Sequence, residues 1–200
     1  MSTYCGVTVL QTASTQEPLT RTEAKLWLRV DEHQVDEDPL IDALITRARK
    51  AFEERHARSV FLQTFDTWLE EFPASNDPIT LPIAPLVAVT KITGFSSTEA
   101  TDSGGTDMTT SDYYVDTAHE YGRVMPISAG SYPSVTRSIN GARVRFTAGY
   151  SSSPSGIPEG VKAEIKSLLA ILYEHRGDEP TQQALMEAAR GNEDALPSWG

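Results

Sequence analysis

The sequence predicts an α+β protein: a helical bundle core, made from N- and C-terminal helices packed together, with an antiparallel β-sheet or sandwich subdomain inserted between them. Apolar residues recur at helical spacing over residues 40–52 and again over 161–173. Between those stretches they alternate, or gather in short runs separated by Pro, Gly, Ser and Asp, which is the punctuation of strands and turns. Each long helical stretch has one apolar face and no other obvious partner in the chain, so the two are expected to cover each other. The corresponding division is a flexible N-terminus at 1–18, the first helical part at 19–60, the β subdomain at 61–150, a core helix at 151–177 and a C-terminal arm at 178–200.

The first helix is announced by Leu19-Thr20-Arg21-Thr22-Glu23. Thr20 as N-cap and Glu23 three residues on form a capping box, in which each side chain satisfies a backbone N–H that the helix leaves orphaned. The helix should run through Lys25 and Trp27 to about Arg29. Asp38-Pro39 starts the second, with an acidic cap and proline where its missing N–H costs nothing. Leu40, Ile41, Leu44, Ile45, Ala48 and Phe52 make its apolar face, and Arg47, Arg49, Lys50, Glu53 and Glu54 are expected on the polar one.

Extended structure is expected within Phe61–Phe72, where Phe61, Phe65 and Leu69 fall on one face, and at Ile79–Leu81, Val87–Phe95, Tyr113–Asp116 and Arg123–Met125. From Ala142 to Tyr150 the alternation is clean, with Val144, Phe146 and Ala148 opposed to Arg143, Arg145 and Thr147. The Ser/Thr/Gly/Asp-rich stretch Ser96–Ser111, with Gly104-Gly105 at its centre, reads as a long mobile hairpin loop. After Ile157-Pro158 a second stripe follows: Val161, Ile165, Leu168, Leu169, Leu172 and Tyr173. A weaker helix is expected over Thr181–Arg190, ahead of the Leu196-Pro197-Ser198-Trp199-Gly200 tail.

Composition narrows the function. Lys and Arg number 17 against 28 Asp and Glu, a net charge of -11, so the surface as a whole repels phosphate and does not suit sequence-independent wrapping of nucleic acid. An acidic channel past which DNA slides is compatible with it. The lone Cys5 excludes an internal disulfide framework and any zinc site built from several thiolates. No run reaches the ~18 apolar residues of a membrane span, and the first sixteen residues lack the pattern of a secretory signal. Synthesis in the cytoplasm is therefore expected.

No catalytic constellation emerges, and neither a cofactor nor a metal is expected. His33, His56, His119 and His175 never pair at i, i+4, and no His-Glu-x-x-His occurs. The Asp102–Asp107 segment lacks the Gly-Lys-Ser/Thr ending of a phosphate loop and the spaced ligands of an EF-hand. Gly149-Tyr150-Ser151 does not continue into a nucleophile elbow. Basic residues interleaved with aromatics, the platform for single strands, are missing. Carboxylates are plentiful, but an acid/base pair depends on burial and distance that a sequence does not carry. A small hydrolase with an unrecognised carboxylate pair, and a regulatory or DNA-binding module, stay as alternatives.

A collinear series of phrases carries more. It runs Leu19-Thr20…Glu23-Ala24-Lys25…Leu28-Arg29-Val30-Asp31, Asp38…Leu40-Ile41…Leu44-Ile45…Ala48-Arg49…Glu53…Arg58, then Gln63-Thr64-Phe65…Leu69…Phe72-Pro73. It continues as Ile79…Leu81-Pro82…Pro85-Leu86…Val89-Thr90, Tyr113-Tyr114-Val115-Asp116 and Gly122-Arg123-Val124…Pro126. It closes with Val144-Arg145-Phe146-Thr147-Ala148-Gly149-Tyr150 and Ile157-Pro158…Val161-Lys162…Ile165…Leu168-Leu169…Leu172-Tyr173-Glu174-His175-Arg176. In this order the series resembles the head–tail connector (adaptor, or head-completion) proteins of long-tailed phages, a family also carried by gene transfer agents. Each phrase also has a packing explanation; their order from Leu19 to Arg176 is what makes the resemblance.

The resemblance implies a structural virion protein and not an enzyme: a ring, generally of twelve copies, that joins the portal to the tail and extends the DNA channel. Its implied partners are the portal protein, the next neck or tail-completion protein and further copies of itself, with DNA passing through the lumen unbound and no membrane involved. A C-terminal arm carrying Leu185, Leu196, Pro197 and Trp199 would dock on the portal. The helix face with Arg47, Arg49, Lys50, Glu53 and Glu54 would meet the neighbouring copy, pairing charges head to tail. The loop with Asp102, Gly104, Gly105 and Asp107 would face the tail. Two features differ from the family pattern: the sequence stops at Gly200 without a further apolar stretch ending in a basic residue, and the Asp102–Asp107 loop is longer. Another neck or tail-side structural protein is the nearest alternative.

Overall fold

A computed structural model describes residues 6–74, 77–98, 101–102, 104–127 and 130–176. The chain forms two compact units, one of Gln16–His56 with Ser153–Gly200 and one of Met1–Thr15 with Ala57–Ser152.

The first unit is helical. Helix α1 spans Arg21–Leu28 and begins with the expected capping box. The Thr20 hydroxyl accepts from the backbone N–H of Glu23 at 3.2 Å, and the Glu23 carboxylate accepts from that of Thr20 at 2.8 Å. Lys25 is buried, and the turn after α1 folds around its ammonium. The ammonium donates to the carbonyls of Glu32 and Gln34 and lies 2.5 Å from a carboxylate oxygen of Asp38. One buried cation thus sets the path from α1 into helix α2, Asp38–His56. Ile41, Leu44, Ile45, Ala48 and Phe52 form the buried face of α2, as their spacing predicts, whereas Leu40, expected on the same face, is 37% exposed. Helix α3, Glu159–Glu174, buries Val161, Ile165, Leu168, Leu169 and Leu172. The two faces pack together, and α1 touches both helices. Each such side chain contributes about 1.5–3 kcal/mol when fully buried, which ordinary helix propensity does not approach.

The second unit holds two antiparallel sheets. Strands β1 (Val7–Thr12), β2 (Gln63–Leu69), β4 (Leu86–Gly94), β5 (Thr106–Asp107) and β8 (Ala142–Ala148) form a five-stranded sheet in the order β1-β2-β8-β4-β5. Strands β3 (Ile79–Thr80), β6 (Tyr113–Asp116) and β7 (Arg123–Pro126) form a three-stranded sheet in the order β3-β7-β6. Phe65, Leu69, Val89, Ile92, Val144 and Phe146 of the larger sheet share one core with Ile79, Tyr113 and Val124 of the smaller. The rings of Phe65 and Phe146, directly opposite in register, stack at 5.6 Å. The strand that alternates most cleanly in the sequence, β8, is central in the sheet and pairs on both sides. It ends at Gly149, whose φ of +139° and whose contact with the Phe61 carbonyl leave no room for a Cβ.

Two expectations are corrected. Residues 1–18 are not uniformly loose, because Val7–Thr12 pairs antiparallel with β2. Its Ser/Thr-rich context hides it, and what orders it is a strand some sixty residues away, as in the pairing of Leu10 with Phe65. Nor is the stretch expected as a long mobile hairpin loop, Ser96–Ser111, loop throughout. The stretch returns to the sheet as β5, where Thr93 pairs with Asp107 and Gly94 with Thr106, and a short 3-10 turn follows at Thr110–Asp112.

Candidate functional site

The described surface offers three places where the protein can meet something else, and none has the layout of a reaction centre. On α2, Arg47, Lys50 and Glu54 are exposed along one stripe, together with Leu40 and Ala43. The spacing 40, 43, 47, 50, 54 keeps them on a single face opposite the buried one. Arg49 does not belong to that stripe, which corrects its expected place on the polar face. It is buried, with Nε 2.9 Å from Glu17 and Nη1 2.8 Å from Glu53. Burial opposes its charge, but the carboxylates of Glu17 and Glu53 outweigh that and raise its pKa. Thr46 adds a hydroxyl to Glu17 at 2.9 Å, so Arg49 and Glu53 hold the segment before α1 onto α2. The sequence did not betray this, because Glu17 lies 32 residues away from Arg49.

The second place is at α1. Leu26 and Trp27 are 80% and 51% exposed, so this short helix turns two large apolar side chains outward. Beside them Glu23, Arg29 and Lys166 line a shallow hollow of about 600 Å³, and the Lys166 ammonium stands 6.0 Å above the Trp27 ring. Adjacent apolar residues on an eight-residue helix with a buried Ala24 and Lys25 were the available signal, since one face of such a helix does not accommodate all four.

The third is the outer face of the five-stranded sheet, made by the side chains that alternate with the core. Asp66 faces Arg145 and Trp68 faces Arg143 across β2 and β8. The Asp66 carboxylate, 2% exposed, takes two parallel hydrogen bonds from Arg145, each 2.7 Å. Arg143 lies 5.2 Å from the Trp68 ring and 5.3 Å from that of Phe95, Arg137 covers Phe95 at 5.3 Å, and the Trp68 and Phe95 rings stack. This Arg–aromatic ladder was half legible. The alternation puts Arg143 and Arg145 on one face, but only strand pairing shows what they meet.

The expected tail-side residues are tied into the same face. Asp102 pairs with Arg137 at 2.9 Å, and its carbonyl accepts from Arg143. Asp107 sits on β5, 2.5 Å from the Lys91 ammonium and 2.6 Å from the Thr93 hydroxyl that donates to it. Burial works against its charge, but those two donors prevail and hold its carboxyl below the usual range. Gly105 adopts a φ of +104° with Thr93 and Phe95 close against it, so glycine is required where the chain turns into β5. Gly104 is exposed beside it. Asp102, Gly104, Gly105 and Asp107 therefore lie together, but as an anchored corner. The residues Leu185, Leu196, Pro197 and Trp199, and the helix expected over Thr181–Arg190, lie outside the described residues, as does Cys5.

The histidines are dispersed. His56 lies 2.7 Å from Glu164 and against Phe52, and His119 is held by the Tyr121 carbonyl. Among the described residues no three His, Cys, Asp or Glu gather as metal ligands, and no helix is long and apolar enough to cross a membrane.

No protein-family model matches the chain. No curated protein matches it either. Solved structures do. A chain in the neck of an empty gene transfer agent particle, computed with C6 symmetry, has 24% identity and a TM-score of 0.70, over 91% of this chain and 94% of that one. A chain in the virion of a native gene transfer agent particle has 24% identity and a TM-score of 0.69, over 90% and 93%. One in the neck of a native particle, computed with C12 symmetry, has 23% identity and a TM-score of 0.59, over 90% and 93%. At this identity the likeness establishes a common fold along nearly the whole of both chains.

Proposed function

We propose that this chain is a structural neck protein of a gene transfer agent or tailed phage, a ring-forming connector that joins the portal to the tail and extends the DNA channel. The observation that carries the reading is the coincidence of two independent likenesses. The collinear phrases from Leu19 to Arg176 resemble the connector family, and the fold matches chains from particle necks along about nine tenths of both lengths. Necks treated with C6 and C12 symmetry contain that fold, which fits a homo-oligomeric ring, and twelve copies are the expected number.

The surfaces described above suit an assembly role. The exposed Arg47, Lys50 and Glu54 stripe carries both signs of charge for a neighbouring copy; Arg49 and Glu53 serve inside the unit. The corner of Asp102, Gly104, Gly105 and Asp107, tied to the sheet through Arg137, Arg143, Lys91 and Thr93, would seat a tail-side protein. The arm with Leu185, Leu196, Pro197 and Trp199 supplies the portal contact. A net charge of -11 keeps a lumen from gripping DNA. No step of this role calls for a catalytic residue, a metal or a cofactor, and its place is the virion neck.

The test is to delete the gene in a producing strain and image the particles, then to restore it with a tagged chain. DNA-filled heads without tails, and the tag at the head–tail junction, are expected. Normal tailed particles in the deletion, or a tag elsewhere, would overturn the proposal.

A further inference from the structure

The two ends of the five-stranded sheet are unlike. At one, β5 has two residues, follows a turn at Gly105 and carries Asp107 already engaged by Lys91, the features of an edge protected against pairing. At the other, β1 runs for six residues, Val-Thr-Val-Leu-Gln-Thr, with no charge and no proline. Val7, Val9 and Leu10 are 67%, 42% and 45% exposed, and the only irregularity in its register falls between Leu10 and Thr12. Among the described residues β1 pairs with β2 alone, so every second residue turns an N–H and a C=O outward. Among the described residues the smaller sheet has its own open edge in β6, which pairs with β7 alone and exposes Tyr114 and Val115. Its one charge, Asp116, is taken by Arg123 at 2.6 Å.

We propose that β1 of one copy pairs with β6 of a second copy, continuing a sheet across the boundary between them. This rests on the ring reading above and gives that ring one of its contacts. The ring reading selects a second copy as the occupant, since necks computed with C6 and C12 symmetry hold chains of this fold, and charge does not oppose the contact at these two edges. Two chains of net charge -11 repel over most of their surface, whereas β1 has no charge and β6 has none left unpaired. Geometry selects β6 as the partner edge. Pairing β1 with itself closes after two copies, but β1 on β6 uses two different edges, leaves one of each open, and repeats head to tail as a ring requires. Four residues of β6 give a ladder of about 13 Å. One such contact is weak, so the assembly depends on concentration or on a partner that gathers the copies.

The experiment is sedimentation of the full chain at rising concentration, with Val9→Lys and Val115→Lys as variants. Both positions are exposed, and circular dichroism and thermal melting check that each variant is folded. The wild type should associate, and each lysine should weaken that association about tenfold or more. An equimolar mixture of the two variants should recover dimers and nothing larger, because the intact β6 of the first meets the intact β1 of the second. Amides of residues 7–12 in the wild type should exchange more slowly as concentration rises, a reading that needs no variant. A wild type that stays monomeric to millimolar concentration, or Val9→Lys associating like wild type, would sink the proposal. Unimpaired dimers of Val115→Lys alone would mean that β1 pairs with itself. The two readings fail separately. Particles that never carry the chain at their neck would end the neck role and leave the strand pairing standing; a neck built normally from Val9→Lys would do the reverse.

Discussion

Single residues fix where elements begin and stop. The Thr20 hydroxyl and Glu23 carboxylate close the first turn of α1, and Thr20→Ala should cost about 1 kcal/mol in urea unfolding. Glu23's carboxyl is held below its ordinary value of 4.5, first by the Thr20 backbone N–H and then by the Thr20 hydroxyl. A depressed folded-state pKa adds stability that is fully present above the ordinary value and is lost as pH falls through the folded one. The part of the gap between wild type and Thr20→Ala that comes from the hydroxyl's bond to the Glu23 carboxylate should therefore narrow on acidification below about pH 4; a gap constant from pH 7 to 3 would contradict that bond's contribution. Gly149 plays the matching part at the end of β8. Its φ of +139° and the Phe61 carbonyl 2.0 Å from an added Cβ make Gly149→Ala costly, by about 1–3 kcal/mol or more, measurable as a drop in melting temperature. Both residues were readable from the sequence, the first as a capping box and the second as the glycine turn of Phe-Thr-Ala-Gly-Tyr, because caps and turns depend on neighbours within a few positions.

At the scale of elements, α2 carries two kinds of arginine that its sequence does not tell apart. Arg47 stands exposed, and Arg47→Ala should change unfolding free energy by no more than about 0.5 kcal/mol. Arg49 is buried between Glu17 and Glu53, so Arg49→Ala removes the cation from two carboxylates and should cost on the order of 2–3 kcal/mol. Equal effects in the same urea titration would refute the assignment of internal and external roles. The helical period over 40–52 identified the buried face, but the polar side is wide, and which of its members turns inward is set by Glu17. The sheet repeats the lesson. Alternation from Ala142 to Ala148 separated core from outer face, while the partners of Arg143 and Arg145, namely Trp68 with Phe95 and Asp66, follow from a register that joins strands nearly eighty residues apart.

At the scale of the whole molecule, the connector role proposed above makes assembly the property to test. On that proposed reading, deleting Glu179–Gly200 should abolish binding to the portal protein in a pull-down and leave the melting temperature of the rest unchanged. Retained binding would remove the arm from the mechanism. The amino-acid sequence by itself determined the order of elements from α1 to α3, most of the apolar faces of α2 and α3, and the alternation of β8, because period and capping are written along consecutive residues. It also carried the resemblance to connector proteins, in phrases whose order survives even where each is only good packing. The tertiary structure alone decided that residues 7–12 are a strand, that Thr106 and Asp107 pair with β4 as β5, that Arg49 faces inward, and that Leu26 and Trp27 face out. These depend on partners distant in the chain: pairing and burial are properties of two segments at once, and neither segment records the other.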